Sequence, residues 1–395
     1  MAPRVSERAG IAPFHVREVM KAAGERAAAG GDVLHLEVGQ PATGAPEPVV
    51  EAAARALREG PLHYTDADGL PALRLRIARW YRERYALDVD PTRVVVTTGA
   101  SGACVLAFLA CFEVGAPVAV ARPGYPCYRN ILTALGCAVV DLPVTAETRF
   151  QPGPGHVAAA RGSLGDEPLA GVVVASPSNP TGTVLDRTSL ADLAEACRTG
   201  DTWLLSDEIY HGITYDEPAT SVLAVDDAAV VIASFSKYFS MTGWRLGWLV
   251  VPPELVIPVE RLAQNLTVAP PTLPQQAGIA AFDAVDELDG HVARYAANRG
   301  VLLDGLRQAG FDRIAPADGA FYLWVDVSAW TDDSQALCAE WLADLGVAVT
   351  PGIDFDPVDG HRFVRFSFAG ATEDMAEATR RLAGWTADHP SRHAG

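Results

Sequence analysis

The most informative segment of the chain reads Ser234-Phe235-Ser236-Lys237-Tyr238-Phe239-Ser240-Met241-Thr242-Gly243-Trp244-Arg245-Leu246-Gly247-Trp248. Apolar runs at 229–233 and 246–251 flank it, which is typical of a loop between two buried strands. The chain has 31 lysines and arginines, and only Lys21 and Lys237 are lysines. Arginine stays protonated, whereas a desolvated lysine can become a neutral amine and form a Schiff base. An ordinary surface lysine is the alternative, but the flanking Ser-x-Ser and Gly-Trp-Arg-x-Gly patterns favour a chemical role.

This segment resembles the cofactor-lysine segment of the class I/II aminotransferases, which are fold type I pyridoxal 5′-phosphate (PLP) enzymes. The resemblance implies that Lys237 forms a Schiff base with PLP and carries a proton between the substrate Cα and the cofactor C4′. It also implies that Ser234, Ser236 and Arg245 hold the cofactor phosphate. The matching motifs follow the family's order and cover nearly the whole chain.

The pattern of apolar runs predicts an α/β protein. Short apolar runs alternate with longer stretches of helical character between about residues 93 and 251. With 395 residues, 49% of them hydrophobic, the chain is expected to form two domains. The resemblance implies a large domain with a mostly parallel seven-stranded sheet between helices, plus a small α+β domain. It assigns 1–45 to an N-terminal arm and part of the small domain, 46–284 to the large PLP-binding domain, and 285–395 to the C-terminal small domain.

Charge and composition exclude several other classes of protein. The formal net charge of −18 disfavours nucleic acid or an anionic membrane as a partner. No apolar span approaches the roughly 20 residues of a transmembrane helix, and the polar N-terminus predicts a cytoplasmic protein. The six cysteines form no C-x-x-C pair, so reduced core thiols are expected and a metal site is not.

A turn of small residues after the apolar run at 94–96 predicts a phosphate site. Gly99, Ala100 and Ser101 lead from that run into a helix expected at 103–112. Such a turn presents free backbone N–H groups at the positive end of a helix dipole. The turn is not the nucleophile elbow of a hydrolase, because alanine occupies the last glycine position of G-x-S-x-G. It also lacks the G-x-G-x-x-G spacing of a dinucleotide-binding fold.

Four residues that follow apolar runs match the family's contacts to the cofactor ring. The resemblance implies that Tyr125 stacks on the ring, and that Asn179 and Tyr210 bond its 3′-oxygen. Asp207 ends an apolar run, and a buried carboxylate there needs a partner that offsets its desolvation. A protonated pyridine nitrogen is such a partner and keeps the ring an electron sink. The alternative role for Asp207 is a helix N-cap.

Three residues are candidates for binding the substrate carboxylate. Arg365 interrupts an alternating apolar strand expected at 362–368, and guanidinium meets carboxylate through two parallel bonds. The resemblance implies that Arg365 clamps the substrate α-carboxylate, together with the backbone N–H of Gly39 and with Asn179. The alternatives are an edge-strand arginine that faces solvent and an ordinary turn glycine.

The segment from Tyr64 to residue 74 is similar to the family's Y-x-x-x-x-G-x-x-x-L-R motif. The resemblance implies that the Tyr64 hydroxyl reaches the cofactor phosphate of the partner subunit. A homodimer with shared active sites is therefore expected.

The implied reaction moves an amino group between an L-amino acid and a 2-oxo acid. Phe14, His15 and Val268, which the resemblance places near the mouth of the site, favour a neutral or aromatic substrate side chain. An aspartate-type aminotransferase and a PLP-dependent C–S or β-lyase are alternatives, because they share the same cofactor contacts. A PLP-binding regulator is a further alternative. Such regulators carry a DNA-binding domain ahead of this fold, whereas the motifs here begin at residue 39.

Overall fold

The computed structural model describes residues 4–392. The helices are α1 (Val16–Ala28), α2 (Glu47–Glu59), α3 (Pro71–Tyr85), α4 (Gly99–Cys111), α5 (Pro126–Leu135), α6 (Pro154–Ser163), α7 (Arg187–Arg198), α8 (Pro253–Leu266), α9 (Thr272–Ala281), α10 (Val285–Gln308), α11 (Ser334–Glu340) and α12 (Thr372–Asp388). The strands are β1 (Leu34–His35), β2 (Val94–Thr97), β3 (Pro117–Arg122), β4 (Ala138–Pro143), β5 (Gly171–Ala175), β6 (Trp203–Asp207), β7 (Val230–Ser234), β8 (Gly247–Val250), β9 (Tyr322–Asp326), β10 (Val347–Ala348), β11 (Thr350–Pro351) and β12 (Phe363–Ser367). Within the described part of the chain, no helix is both long and apolar enough to cross a membrane.

The central sheet has seven strands in the order β2-β8-β7-β6-β5-β3-β4. Strands β7, β6, β5, β3 and β4 are parallel to one another, while β8 runs antiparallel to both β2 and β7. The α/β class and the mostly parallel seven-stranded sheet predicted from the resemblance are therefore confirmed. Polar groups that follow these strands collect at one edge of the sheet, because parallel strands share their carboxyl ends.

Both faces of the central sheet are covered by helices. In β2, Val94 and Val96 belong to the apolar cluster that includes residues of α2, α3, α6, α7 and α9. Val95 belongs instead to the cluster with α4, α5 and α8. The alternation repeats in β5: Val172 and Val174 belong to the first cluster, and Val173 belongs to the second. Continuous valine-rich runs suit such a sheet, because neither face meets water.

Helix α4 begins at Gly99, four residues before the start predicted at 103. The prediction followed the first apolar residue, but the small residues of the turn themselves form the first helical turn. The Thr98 side chain makes no capping bond, so the first N–H groups of α4 are left at the carboxyl end of β2. This end of the helix is part of the candidate site described below.

A second group of strands joins the N-terminal segment to the C-terminal third. β9, β11 and β12 form an antiparallel sheet, and β1 pairs in parallel with β10. β1 is short and covers only Leu34 and His35. After Leu36 the chain leaves β10, and the Leu36 carbonyl accepts the N–H of Ser367 in β12. We propose the division 1–45, 46–284 and 285–395 on the basis of these separate sheets.

Candidate active site

Most of the predicted site residues meet in one cavity at the carboxyl ends of the parallel strands. The cavity has a volume of about 410 Å³ and is walled by the central sheet, the N-terminal segment and β12. The predicted residues that line it are Gly39, Ala100, Ser101, Tyr125, Asn179, Asp207, Tyr210, Ser236, Lys237, Arg245 and Arg365. Gly99, Ser234 and Tyr64 are not among the lining residues.

Lys237 lies in the loop after β7 and extends its amine into the cavity. The amine donates a hydrogen bond to the Gly39 carbonyl and lies 5.7 Å from the centre of the Tyr210 ring. Burial, followed by the positive charges of Arg365 and Arg245, lowers the pKa of Lys237 to about 8. A substantial fraction of the amine is therefore neutral near pH 8 and able to attack a carbonyl carbon.

Asp207 ends β6 and is only 3% exposed. Its carboxylate accepts hydrogen bonds from the Tyr128 hydroxyl and, at 2.9 Å, from the backbone N–H of Ile209. Burial raises the pKa of the Asp207 carboxyl to about 6, although both hydrogen bonds act in the opposite direction. At neutral pH the cavity therefore contains a largely ionised carboxylate that would gain from a cationic partner.

Tyr128 is a site residue that the sequence analysis missed. It is buried, lines the cavity and donates its hydroxyl to Asp207. The signal available in the sequence was its spacing: Tyr128 lies three residues after Tyr125, and such residues share one face of a helix. The two rings pack edge to face, with their centres 5.4 Å apart.

The first turn of α4 and Arg245 together form a cradle for an anion. Gly99 adopts a φ of +71°, and a Cβ atom there would lie 2.5 Å from Nη2 of Arg245. Glycine is therefore required for both its backbone conformation and the close approach of the guanidinium. Ala100 and Ser101 line the cavity beside Arg245, so helix N–H groups and a guanidinium face the same space.

Of the two serines before the lysine, only one lines the cavity. Ser236 lines the cavity, whereas Ser234 is buried beneath it. The Ser234 hydroxyl lies 2.9 Å from Oγ of Ser236 and 3.1 Å from the Leu246 carbonyl oxygen. In this arrangement Ser234 supports Ser236, and its direct contact with a phosphate stays a prediction.

Arg365 is 3% exposed, so the alternative of an edge-strand arginine that faces solvent is wrong. Its Nη1 donates to Oδ1 of Asn179 at 2.9 Å, and its Nη2 donates to the Glu37 carbonyl at 2.7 Å. The rings of Tyr322 and Phe355 lie 4.4 and 4.7 Å from its guanidinium carbon. These contacts hold a planar cation in one orientation at the cavity wall.

Gly39 is constrained by a second residue that the sequence analysis missed. A Cβ atom at Gly39 would overlap the hydroxyl oxygen of Tyr322, so only glycine fits here. That hydroxyl lies 2.7 Å from the hydroxyl of Tyr210. Burial raises the pKa of the Tyr210 phenol well above its usual value, so the phenol is protonated at neutral pH. The Tyr322 hydroxyl therefore packs against Gly39 and hydrogen-bonds with the Tyr210 hydroxyl.

Several residues expected near the site lie elsewhere or only at its edge. Tyr64 is 85% exposed and lies in the segment between α2 and α3. Phe14 lines the cavity, but His15 and Val268 do not. The His15 ring instead pairs with Glu18 at 3.1 Å. The role of Tyr64 in a partner's site stays a prediction.

Comparison with known proteins agrees with this geometry. Residues 31–382 match the family "Aminotransferase class I and II". A valine–pyruvate aminotransferase from Mycobacterium tuberculosis is 53% identical over 389 residues, which cover 98% of this chain and 99% of that protein. A crystal structure of an aminotransferase from the same organism aligns with a TM-score of 0.95 and 52% identity, covering 98% and 100% of the two chains. An aspartate aminotransferase from Thermotoga maritima is 34% identical over 356 residues, 89% of this chain and 91% of that protein.

The chain belongs to the class I and II aminotransferases, a family of PLP-dependent enzymes of fold type I. It is an aminotransferase that acts on an amino acid and a 2-oxo acid. This activity was the principal prediction from the sequence, and it is confirmed over the lyase and regulator alternatives.

Proposed function

We propose that this enzyme binds PLP covalently at Lys237 and transfers amino groups between a neutral amino acid and pyruvate. The proposal is carried by three groups in one cavity: an amine with a pKa near 8, the buried carboxylate of Asp207, and the anion cradle at the start of α4. They match the aldehyde, the ring nitrogen and the phosphate of PLP. We further propose that the reaction takes place in the cytoplasm.

The residues around the cofactor would divide the chemical work. When bound, PLP withdraws electrons from the amino acid and so weakens its Cα–H bond. Lys237 would take that proton and return it to the cofactor C4′, a two-way task that suits an amine with a pKa near the working pH. Asp207 would hold a proton on the ring nitrogen, Tyr125 would cover the ring and Tyr210 would contact its 3′-oxygen.

Arg365 would orient the substrate by its α-carboxylate. Its guanidinium is already held by Asn179 and the Glu37 carbonyl, so little freedom is lost when a carboxylate binds. The backbone N–H of Gly39 is proposed as a second donor to the same carboxylate. The Lys237 amine contacts the Gly39 carbonyl, which places the proton carrier beside this clamp.

The outer wall of the cavity supports the proposed substrate class. Phe14, Val16 and Met20, at the start of α1, and Ile131 of α5 line the cavity with apolar side chains. An aliphatic side chain gains by contact with such a wall, whereas a charged one loses hydration there. The similarity to a valine–pyruvate aminotransferase supports the same choice, with pyruvate as the amino acceptor.

One observation favours a second candidate, the use of dicarboxylic substrates. Arg17 also lines the cavity, and within residues 4–392 its side chain makes no ion pair or hydrogen bond. A guanidinium in this position could meet the distal carboxylate of aspartate or of a dicarboxylic 2-oxo acid. The aspartate-type alternative from the sequence analysis therefore stays open as a second candidate.

Substrate comparison with one variant separates these candidates. The wild-type enzyme with PLP is expected to use L-valine and pyruvate with a kcat/KM at least about 10-fold above that for L-aspartate, because the wall is mostly apolar. Arg17→Met should leave the valine reaction within about 3-fold, since a linear apolar side chain fits the same wall. Alanine formation from pyruvate measures the reaction with L-valine. Loss of the 2-oxo acid acceptor measures the reaction with L-aspartate.

Lys21→Met is the matched control for Arg17→Met, because Lys21 lies on the same helix but does not line the cavity. The contrary result is a wild type that prefers aspartate, with this preference lost in Arg17→Met and kept in Lys21→Met. That result would favour dicarboxylic substrates over a neutral amino acid and pyruvate.

We further propose that the enzyme is a homodimer whose active sites are shared. The supporting observation is Tyr64, whose ring is 85% exposed and outside the cavity of its own chain. An aromatic ring left in water loses the gain that its burial would provide. Contact with the cradle of a second subunit would account for both its position and its exposure.

A mixed dimer tests whether Tyr64 acts across the subunit boundary. Tyr64→Phe is expected to bind PLP more weakly at limiting cofactor, while Lys237→Ala is expected to lack the covalent link. If Tyr64 acts in trans, one site of the mixed dimer contains both wild-type residues and regains wild-type PLP affinity. PLP titration of purified heterodimers measures this recovery. Heterodimers without any recovery, despite a clear defect in Tyr64→Phe alone, would place Tyr64 in its own chain's site.

A further inference from the structure

Helix α1 is anchored at its N-terminus by a residue from the far end of the chain. The N-cap position, His15, has helical backbone angles, and its side chain caps no backbone group. The N–H groups of His15 and Val16 instead donate to Oδ1 and Oδ2 of Asp354, each at 2.7 Å. Asp354 is 8% exposed, so these bonds are largely shielded from water. A carboxylate at this position also complements the positive end of the helix dipole.

The anchored end of α1 is the part of the helix that lines the substrate cavity. Phe14, Val16 and Met20 form much of the apolar wall, and all three lie within the first turns of α1 or just before it. Farther along the helix, Ala23 packs against Leu342 and Ala348. The two bonds to Asp354 therefore hold the end of α1 that carries the wall, while Ala23 holds the middle of the helix.

The residue after Asp354 contacts the carboxylate clamp and the loop that bears Tyr125. The Phe355 ring lies 4.7 Å from the guanidinium carbon of Arg365. The Phe355 carbonyl accepts the N–H of Gly124, next to Tyr125, at 3.0 Å. The apolar wall, the clamp and the ring-stacking loop are thus all held by two consecutive residues.

The next residue extends the same connection into the central sheet. Asp356 is buried and pairs with Arg122, the last residue of β3, at 2.7 Å. The segment 354–356 therefore joins α1, β12 and β3 through three adjacent side chains. Because the segment is short and its polar groups are satisfied, it holds these parts at constant separations.

We infer that Asp354 is a positioning residue that sets the distance between the apolar wall of α1 and the carboxylate clamp, and thereby the enzyme's selectivity for the size of the substrate side chain. This inference rests on the proposed function, because it takes Arg365 as the clamp and the wall as the side-chain pocket. A short side chain such as that of alanine would contact the wall little. A branched side chain such as that of valine would depend on it.

Asp354→Asn and Asp354→Ala test this role in the PLP-bound enzyme. Asn keeps one acceptor oxygen, so its effect should be intermediate, and it remains informative if the Ala variant does not fold. For Asp354→Ala, kcat/KM for L-valine is expected to fall about 10- to 100-fold, because small misplacements of a binding wall carry losses of this size. The value for L-alanine should fall by less than about 3-fold. Both values are taken from the half-reaction with the amino acid alone, because alanine and pyruvate would exchange without net change. PLP affinity and the cofactor absorption spectrum should not change.

Amide hydrogen exchange provides a measurement that does not depend on turnover. The first turn of α1 is expected to exchange faster in both variants, because two N–H groups lose an acceptor. Asp186→Asn is the matched control: Asp186 caps α7 by accepting the Ser189 N–H at 2.8 Å, but neither residue lines the cavity. It removes the same charge from a helix start and should change neither the ratio of valine to alanine use nor the exchange of α1.

Two results would overturn the inference. One is an equal loss for valine and alanine, which would indicate a general structural role for Asp354. The other is unchanged exchange at the start of α1 in Asp354→Ala. A wild-type enzyme that prefers charged substrates is a different outcome: it contradicts the proposed substrate class. The role of Asp354 is then measured with any two accepted amino acids of different side-chain size.

Discussion

Lys237→Ala is expected to abolish amino-group transfer, with turnover falling by more than about 10⁴-fold, the upper end of what one general base contributes. The variant loses the covalent attachment point and the proton carrier together, and no second amine can replace them. Lys21, the only other lysine in the sequence, has an 80% exposed side chain and does not line the cavity. The phosphate cradle at α4 is intact in this variant, so weak non-covalent PLP binding should remain.

Borohydride reduction followed by peptide mapping measures the attachment point directly. PLP should be recovered on the peptide that contains Lys237, and Lys21→Met should label and turn over like the wild type. The pKa of Lys237 adds a pH dependence. Since only the neutral amine attacks a carbonyl, covalent loading of the cofactor-free enzyme should accelerate as pH rises through about 8. Label at Lys21, or no label, would contradict the assignment.

Asp207→Asn is expected to lower kcat by about 10²- to 10³-fold, the range seen when one electrostatic partner of a developing charge is removed. A neutral amide cannot keep a proton on the ring nitrogen of the cofactor, so removal of the Cα proton becomes slow. Covalent loading at Lys237 should persist, because the amine and the cradle are unchanged. Stopped-flow measurement of the half-reaction with valine separates the two steps. Near-normal turnover would mean that Asp207 has only a structural role.

The same substitution is expected to stabilise the cofactor-free enzyme at neutral pH. Burial raises the pKa of Asp207 from 3.8 to about 6, so the folded state binds its proton more tightly than the unfolded state does. The protonated Asp207 carboxyl of the wild type therefore makes its full contribution to stability below about pH 4, and this contribution is lost as pH rises through about 6. Near pH 8, the ionised carboxylate then costs on the order of 3 kcal/mol, a cost that asparagine does not carry.

Thermal unfolding of the cofactor-free proteins measures this stability difference. Asp207→Asn should melt a few degrees above the wild type at pH 8, and the gap should shrink at pH 5, where the wild-type carboxyl is largely protonated. Asp186→Asn is again the control: Asp186 is exposed, and the Ser189 N–H lowers its pKa, so loss of this carboxylate should destabilise the protein at pH 8. A wild-type protein that is more stable than Asp207→Asn at pH 8 would contradict the claim that the ionised carboxylate is destabilising in the absence of a cationic partner.

Those parts of the site that depend on short stretches of chain were predictable from the sequence. Lys237 and Asp207 each follow an apolar run, and the carboxyl ends of parallel strands place such residues at one edge of a sheet. The turn at Gly99 was recognisable because small residues between a strand and a helix leave N–H groups free. In each case the decisive information lies within a few residues of the site.

Other parts were settled only by contacts between distant segments. Tyr128 reaches Asp207 across 79 residues, and the hydroxyls of Tyr210 and Tyr322 meet across 112. The sequence analysis named both Ser234 and Ser236 as phosphate contacts, but only Ser236 lines the cavity. Alternation within a short loop does not reveal which hydroxyl faces the cavity, because that depends on what packs on either side.

The sequence by itself determined the α/β class of this enzyme, its single candidate for a reactive lysine and the polar residues that follow its strands. These features are local, because they depend on residue type and on spacing within one strand and its loop. Only the tertiary structure decided which apolar residues face the substrate and what holds them there. The wall of α1 is positioned by Asp354, 339 residues from His15, and no local pattern encodes a bond between segments that meet only after the chain has folded.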